Sequence, residues 1–280
     1  MGVNKKYKDS IFSFLFSNPD ILRGLYGALE GIALDPDVPI SINTLTDVIF
    51  KDQINDLSFL VDNRLVVLVE HQSTISLNMP LRLLKYIARV YEEIIDHKKL
   101  YGKKIVHIPW PEFIVLYNGK DPYPDQVTLK LSDAFTDLED LLGGAKRPVD
   151  LELIATVYNI NPGHNEGMLK KCDELSGYSR FVEIVRKYRD TISDKELAFK
   201  KAIDDCIEHD ILREFLELHA TEVLDMLLTE WKTEDALAVE REEGREEGRE
   251  ETLHEVLELL KQGYRAEQIE AMVSRKKGDK

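Results

Sequence analysis

Residues 54–74, INDLSFLVDNRLVVLVEHQST, hold two apolar runs separated by Asp62-Asn63-Arg64, and no other stretch restricts the fold as much. Short β-branched and leucine-rich runs around a turn cluster read as a β-hairpin. A three-residue loop over 62–64 pairs Leu57 with Val69, Phe59 with Val67 and Val61 with Leu65, which makes one face of the hairpin apolar. The same register sets Asp56 across from Glu70, and two-residue alternation puts Gln72 on the face of Glu70. A two-residue loop would send Asp56 to the opposite face. Three-residue hairpin loops are common and need a residue that tolerates the left-handed conformation, as Asn63 does.

Two carboxylates about 5 Å apart at Cβ repel when both are ionised and favour a cation or a shared proton. Oxygen donors suit Mg²⁺, with Mn²⁺ or another divalent cation as a substitute, and the main-chain carbonyl of His71 could add a further oxygen. Such a centre suits phosphoryl chemistry. The competing reading has Asp56 capping its strand, with Glu70 and Gln72 facing solvent at the strand end. The His71 side chain points away from Glu70, as a core or interface histidine would.

A formal charge of −15 argues at first against a polyanionic partner. However, residues 230–251 alone carry ten acids against four bases, so much of the excess sits in one segment. Elsewhere, DHKKLYGKK gathers Lys98, Lys99, Lys103 and Lys104 around a tyrosine, as a solvated helix end or as a phosphate contact. Cys172 and Cys206 match no metal-ligand spacing and read as buried thiols of a reducing compartment. The N-terminal residues lack a secretory pattern, and no apolar run reaches membrane-spanning length. The expectation is a cytoplasmic protein with no membrane partner.

A break at Asn18-Pro19 predicts two short helices before the hairpin. ALDPDVPISI reads as an extended connection, because its prolines resist helix. Leu83, Ile87, Val90 and Ile94 form one stripe of a helix that starts near Pro80. EFIVLYNG and VDLELIATVYNIN are the remaining strands, and the pattern from Asn165 to Trp231 is helical. His164 lies in a loop with no evident partner.

The segment EREEGREEGREE repeats every four residues. It stacks like charges at i,i+4 and includes glycines that each cost about 1 kcal/mol in a helix. It reads as a linker or a marginal exposed helix. The residues after it read as a helix, a turn at Gly263 and a second helix, either a generic hairpin or a DNA-reading helix-turn-helix. The expected division is a core over 1–192, a helical extension over 193–232, a charged linker over 233–252 and a helical hairpin over 253–280.

The spacing Asp56-x13-Glu70-x-Gln72 resembles the signature of PD-(D/E)XK nucleases. The blocks NDLSF, VEHQS and MPLRLLKYIARVYE, with FIVLYNG, DLELIATVYNIN and the GREEGREEGRE tail, resemble the Rpn family of recombination-promoting nucleases, also labelled transposases. This resemblance implies an α/β fold, a restriction-endonuclease-like mixed central sheet flanked by helices, with a helical C-terminal region. It makes Asp56 and Glu70 metal-binding carboxylates, and it puts Gln72 where most of the superfamily has lysine. Glutamine lacks the lysine charge but can still orient a water or a phosphate oxygen. Asp9 resembles the additional helical acid of such sites and is equally placed to cap its helix. Arg82 and Tyr86, at i and i+4, share a helix face near the acids and would support Glu70 or meet a phosphate.

The implied activity is a Mg²⁺-dependent DNA endonuclease of low sequence specificity, linked to recombination or mobile elements. A homo-oligomer is expected, since cutting both strands often requires two sites. The alternative is a non-catalytic DNA-binding or assembly protein with a degenerate nuclease fold.

Overall fold

The computed structural model describes residues 11–42, 57–137 and 147–232, together with Arg249 and Val256. The chain divides into units over 1–227 and 228–280. Of the second unit, only the helical residues 228–232 and the helical positions Arg249 and Val256 are described. Apart from those two positions, the repeat and the expected hairpin tail lie outside the described residues, as do Asp9 and Asp56.

The first unit opens with α1 (Ile11–Leu15) and α2 (Pro19–Glu30). The break between them is set chemically. Asn18 caps α2 by accepting from the Asp20 amide at 2.8 Å, and Pro19 occupies the first turn, where its missing N–H costs nothing. Gly31, at φ 69°, ends the helix in the left-handed conformation.

Next come β1 (Ile40–Ile42), β2 (Leu57–Val61) and β3 (Leu65–Gln72), then α3 (Met79–Ile94), the short α4 (His97–Leu100) and β4 (Trp110–Tyr117). Strand β5 (Gln126–Lys130) and a 3-10 turn precede β6 (Ile154–Asn159). Helices α5 (Glu166–Leu169), α6 (Asp173–Thr191) and α7 (Lys195–Glu208) follow. A further helix, α8, starts at Arg213 and runs to the end of the first unit.

The strands form one mixed sheet in the order β1-β2-β3-β4-β6-β5. The hairpin has the register expected from sequence, with Leu57 opposite Val69, Phe59 opposite Val67 and Val61 opposite Leu65. Its three-residue loop holds Asp62 at φ 50° and Asn63 at φ 51°, residue types that accept this conformation at modest cost. Strand β3 then runs parallel to β4, from Leu65 beside Trp110 to Gln72 beside Tyr117, and α3 makes the crossover that parallel pairing requires. β4 is also parallel to β6, and β5 closes the far edge antiparallel. Helix, three-strand meander, helix and parallel strand, in that order, make the restriction-endonuclease-like α/β core expected from sequence.

Helices cover both faces of this sheet. On one face Val66, Leu68, Val115 and Val157 pack with Leu83, Tyr86, Ile87 and Val90 of α3. Ile94, assigned to the same stripe from sequence, is 37% exposed at the helix end. On the other face His71 stacks on Phe12 of α1 and meets Tyr178 of α6 edge-on, while Phe59 meets Tyr26 of α2. Two strands differ from the sequence expectation. The end of ALDPDVPISI pairs with β2 as the edge strand β1, and Gln126–Lys130 forms β5. Both are short edge strands whose mostly solvent-facing residues leave a weak alternation signal. Both cysteines are buried free thiols, and burial pushes each up to about 12.

Candidate active site

Glu70 sits on β3 with only 2% of its surface exposed. The alternative that left it facing solvent is therefore corrected. Strand alternation turns it toward α3, because Leu68 and Val66, two and four residues earlier, already face that helix. A carboxylate in such a position must be compensated to remain ionised. Arg82, in the first turn of α3, donates from Nη2 to Glu70 Oε2 at 3.1 Å. The same nitrogen lies 3.2 Å from the Tyr86 hydroxyl, and Nη1 lies 3.3 Å from Met79 Sδ. The guanidinium also sits 5.9 Å from the Tyr86 ring centroid. Arg82 thus bridges the sheet acid and its own helix while keeping 44% of its side chain in solvent.

Gln72 is half-buried on the same face, two residues beyond Glu70. Its side-chain amide contacts Met79 Sδ, so Met79 lies between Gln72 and Arg82. Methionine carried no sequence signal for this position beyond its place at the start of a helix. The structure brings together Glu70, Gln72, Arg82 and Tyr86 from the residues singled out in the sequence. Asp56, expected opposite Glu70, and Asp9 lie outside the described residues.

The His71 side chain is directed to the opposite face, as strand alternation requires. Burial, with the Arg186 charge nearby, lowers it to about 4, so it is a neutral imidazole at physiological pH. Its Nε2 lies 3.5 Å from the Tyr178 hydroxyl.

The strand end beyond Gln72 is held by asparagines. The Asn118 amide donates to Gln72 O at 2.8 Å, and Arg186 on α6 donates to Asn118 Oδ1 at 2.9 Å. Gly119 passes so close to Ser73 O and the Tyr117 ring that no Cβ would fit. YNG closed a strand in the sequence, but nothing local announced Arg186, 68 residues later. His164, expected to lack a partner, places Nδ1 2.6 Å from Asp125 Oδ1, a contact between two loops 39 residues apart.

A second carboxylate pair faces α2. Glu112 on β4 hydrogen-bonds Glu30, and burial together with that neighbour raises it to about 7. Tyr26 is raised by its own burial and by Glu112. Glu30 and Glu112 border a cleft of about 560 Å³ that Trp110 and Tyr158 also line. The sequence reading missed this pair, because its two acids lie 82 positions apart in otherwise apolar elements.

Among the described residues, no three His, Cys, Asp or Glu side chains converge as a metal cluster, and no helix is long and apolar enough to cross a membrane. The search of curated proteins and that of solved structures gave no significant match. A family model described as "Putative transposase, YhgA-like" matches residues 42–155, less than half of the chain. That segment contains the hairpin, α3 and β4, and therefore Asp56, Glu70, Gln72, Arg82 and Tyr86. Over residues 42–155 the chain thus matches a YhgA-like family model that belongs to the Rpn and PD-(D/E)XK-like transposase group.

Proposed function

We propose that this protein is a divalent-metal-dependent endonuclease that hydrolyses DNA phosphodiester bonds with low sequence preference, in the service of recombination or a mobile element. The observation that carries the reading is the buried Glu70 carboxylate, which shares one sheet face with Gln72 and is met there by Arg82. The family description, which concerns transposases, supports DNA as the partner.

The donor chemistry fits a hard cation in kind. Glu70 offers carboxylate oxygen, Gln72 an amide oxygen and His71 a main-chain carbonyl, while the imidazole of His71 is turned to the other face. Asp56 immediately precedes β2 and is the second carboxylate of the proposal, with Asp9 as a further acid. When bound, Mg²⁺ would supply charge stabilisation at the phosphoryl oxygens and a more acidic water.

The chain's own residues have separate tasks. Glu70 fixes one anionic donor on a rigid strand, and Arg82 holds that carboxylate in a single orientation. Tyr86 restrains Arg82. Gln72 orients a water or a phosphate oxygen by hydrogen bonding, without adding charge.

The test uses supercoiled plasmid with Mg²⁺, with Mn²⁺ and with EDTA, comparing the wild-type protein with Asp56→Ala and Glu70→Ala. Nicking that needs the cation and both carboxylates supports the proposal. Binding that shifts the plasmid without cutting it under any condition would favour the non-catalytic reading.

A further inference from the structure

Residues 71–111 hold seven bases against three acids, a net of +4 within a chain of −15. The imbalance is sharpest over 97–111, which contain four lysines and no acid. Lys98, Lys99, Lys103 and Lys104 are all exposed, and none of them forms an ion pair among the described residues. Elsewhere Lys120, Lys170 and Lys200 each meet a carboxylate within 3.0 Å while Lys130, Lys171 and Lys201 form no ion pair among the described residues, so the crowding of four such lysines in one segment is what distinguishes this loop. Isolated cations crowded into one loop repel each other, so their presence together favours a polyanionic partner.

The same loop exposes apolar and aromatic surface. Tyr101 is 92% exposed and Trp110 76%, with Leu100 and Ile105 also open to solvent. The backbone presenting them is anchored at both ends. Asp96 caps α4 through the Lys98 amide at 3.0 Å, the Tyr91 hydroxyl donates to Pro109 O at 2.7 Å, and the Trp110 amide donates to Arg64 O at 2.8 Å. A basic loop with projecting rings suits an unpaired strand, whose phosphates meet the lysines while its bases stack on aromatic faces. A duplex would offer the rings no base face.

The loop is joined to the candidate active site by α3. From Arg82 to Ile94 the helix rises roughly 18 Å at 1.5 Å per residue. That span matches about five nucleotides at the 3.4 Å spacing of a stacked strand. Lys85 and Arg89, at i and i+4, share a side of the helix between the two ends.

We propose that α3 and the loop over 97–110 form a binding surface for single-stranded DNA. The phosphates meet Lys98, Lys99, Lys103 and Lys104, a base stacks on Tyr101, and the strand leads along α3 toward Glu70. This inference rests on the DNA reading above but concerns a different surface.

The test measures fluorescence anisotropy of a labelled single-stranded 20-mer with the full chain in EDTA, over a series of salt concentrations. Substituting the four lysines with alanine should weaken binding at least tenfold and flatten the salt dependence by about 0.7 in log–log slope for each phosphate that is no longer neutralised. Tyr101→Ala should weaken binding about fivefold or more and leave that slope unchanged. All five side chains are exposed, so folding should persist, and circular dichroism checks this.

Wild-type protein that does not bind the single-stranded 20-mer in EDTA would overturn this surface, whereas the DNA reading itself fails only if the plasmid is neither bound nor nicked with Mg²⁺ or Mn²⁺. Wild-type binding that the lysine and tyrosine variants retain in full would overturn the surface alone. Tighter binding to the matching duplex would overturn the assignment to a single strand. Phosphatidylserine vesicles provide the last arm. Vesicle binding abolished by these variants, with DNA binding untouched, would reassign the loop to a membrane surface.

Discussion

Arg82 reaches from the first turn of α3 to the Glu70 carboxylate on β3, 3.1 Å away, and links the two elements that the candidate active site needs in register. Removing the guanidinium strands a buried carboxylate, whereas a fully exposed pair would be worth little. Because Arg82 keeps nearly half its side chain in water, the expected loss for Arg82→Ala is about 1–2 kcal/mol at pH 7, less than for a fully buried pair. Arg82→Lys should recover part of this, since lysine restores the charge without the planar fork. Urea midpoints at constant m-value would show it.

Gln72 gives a different signature. It is half-buried and contacts only a weak sulfur acceptor among the described side-chain partners, so Gln72→Ala should change stability by under about 1 kcal/mol. Under the proposed function it should slow plasmid nicking about tenfold, the equivalent of one orienting hydrogen bond removed. Gln72→Lys introduces a positive charge beside Arg82 and Glu70. A faster rate for this variant would show that the glutamine limits the chemistry.

The hairpin register and the face that carries Glu70 were legible in the sequence, because strand alternation has a fixed period and a three-residue loop over Asp62-Asn63-Arg64 sets the register that buries the apolar face. The nearness of Arg82 and Tyr86 to Glu70 was partly legible, since helical spacing puts both on one face and only the pairing across the α3–β3 interface had to be supplied. Contacts made by the tertiary fold were not. Glu30 with Glu112, Arg186 with Asn118, and His164 with Asp125 join distant segments whose local patterns carry no trace of each other. The edge strands β1 and β5 escaped because solvent-facing strands lose the hydrophobic alternation that marks buried ones.

His71 and Glu112 should oppose each other in the pH dependence of stability. His71 has a folded value near 4 against an ordinary 6.5, so the unfolded chain binds more protons between those limits. Its contribution is complete above pH 6.5 and is lost as pH falls toward 4, by about 3 kcal/mol in total. His71→Phe should remove this loss, which a series of urea melts from pH 4 to 7 would reveal as a changed slope.

Glu112 runs the other way. Its folded value of about 7 lies above the ordinary 4.5, so its contribution is complete below pH 4.5 and is lost as pH rises through 7. Glu112→Gln should leave stability unchanged near pH 4.5 and raise it at pH 8. After allowance for solvent screening of a partly exposed pair, the gain is about 1–2 kcal/mol. Thermal melts at the two pH values test this.

The hairpin loop sets the position of Glu70 through backbone conformation. Asn63 at φ 51° tolerates replacement by glycine, whereas Asn63→Val forces a β-branched residue into the left-handed region. The expected cost of the valine is about 1–2 kcal/mol, against little or no loss for Asn63→Gly. Denaturant midpoints of the two variants make the comparison.

The central claim is that the buried carboxylate on β3 serves metal-dependent DNA cleavage. Its most direct measurement is the rate of Mg²⁺-dependent plasmid nicking by Glu70→Gln relative to wild type, with the affinity of each for DNA measured separately in EDTA. The expected result is cation-dependent nicking by the wild type and a rate at least about a hundredfold lower for Glu70→Gln, at equal DNA affinity. Nicking by Glu70→Gln at the wild-type rate would contradict the claim.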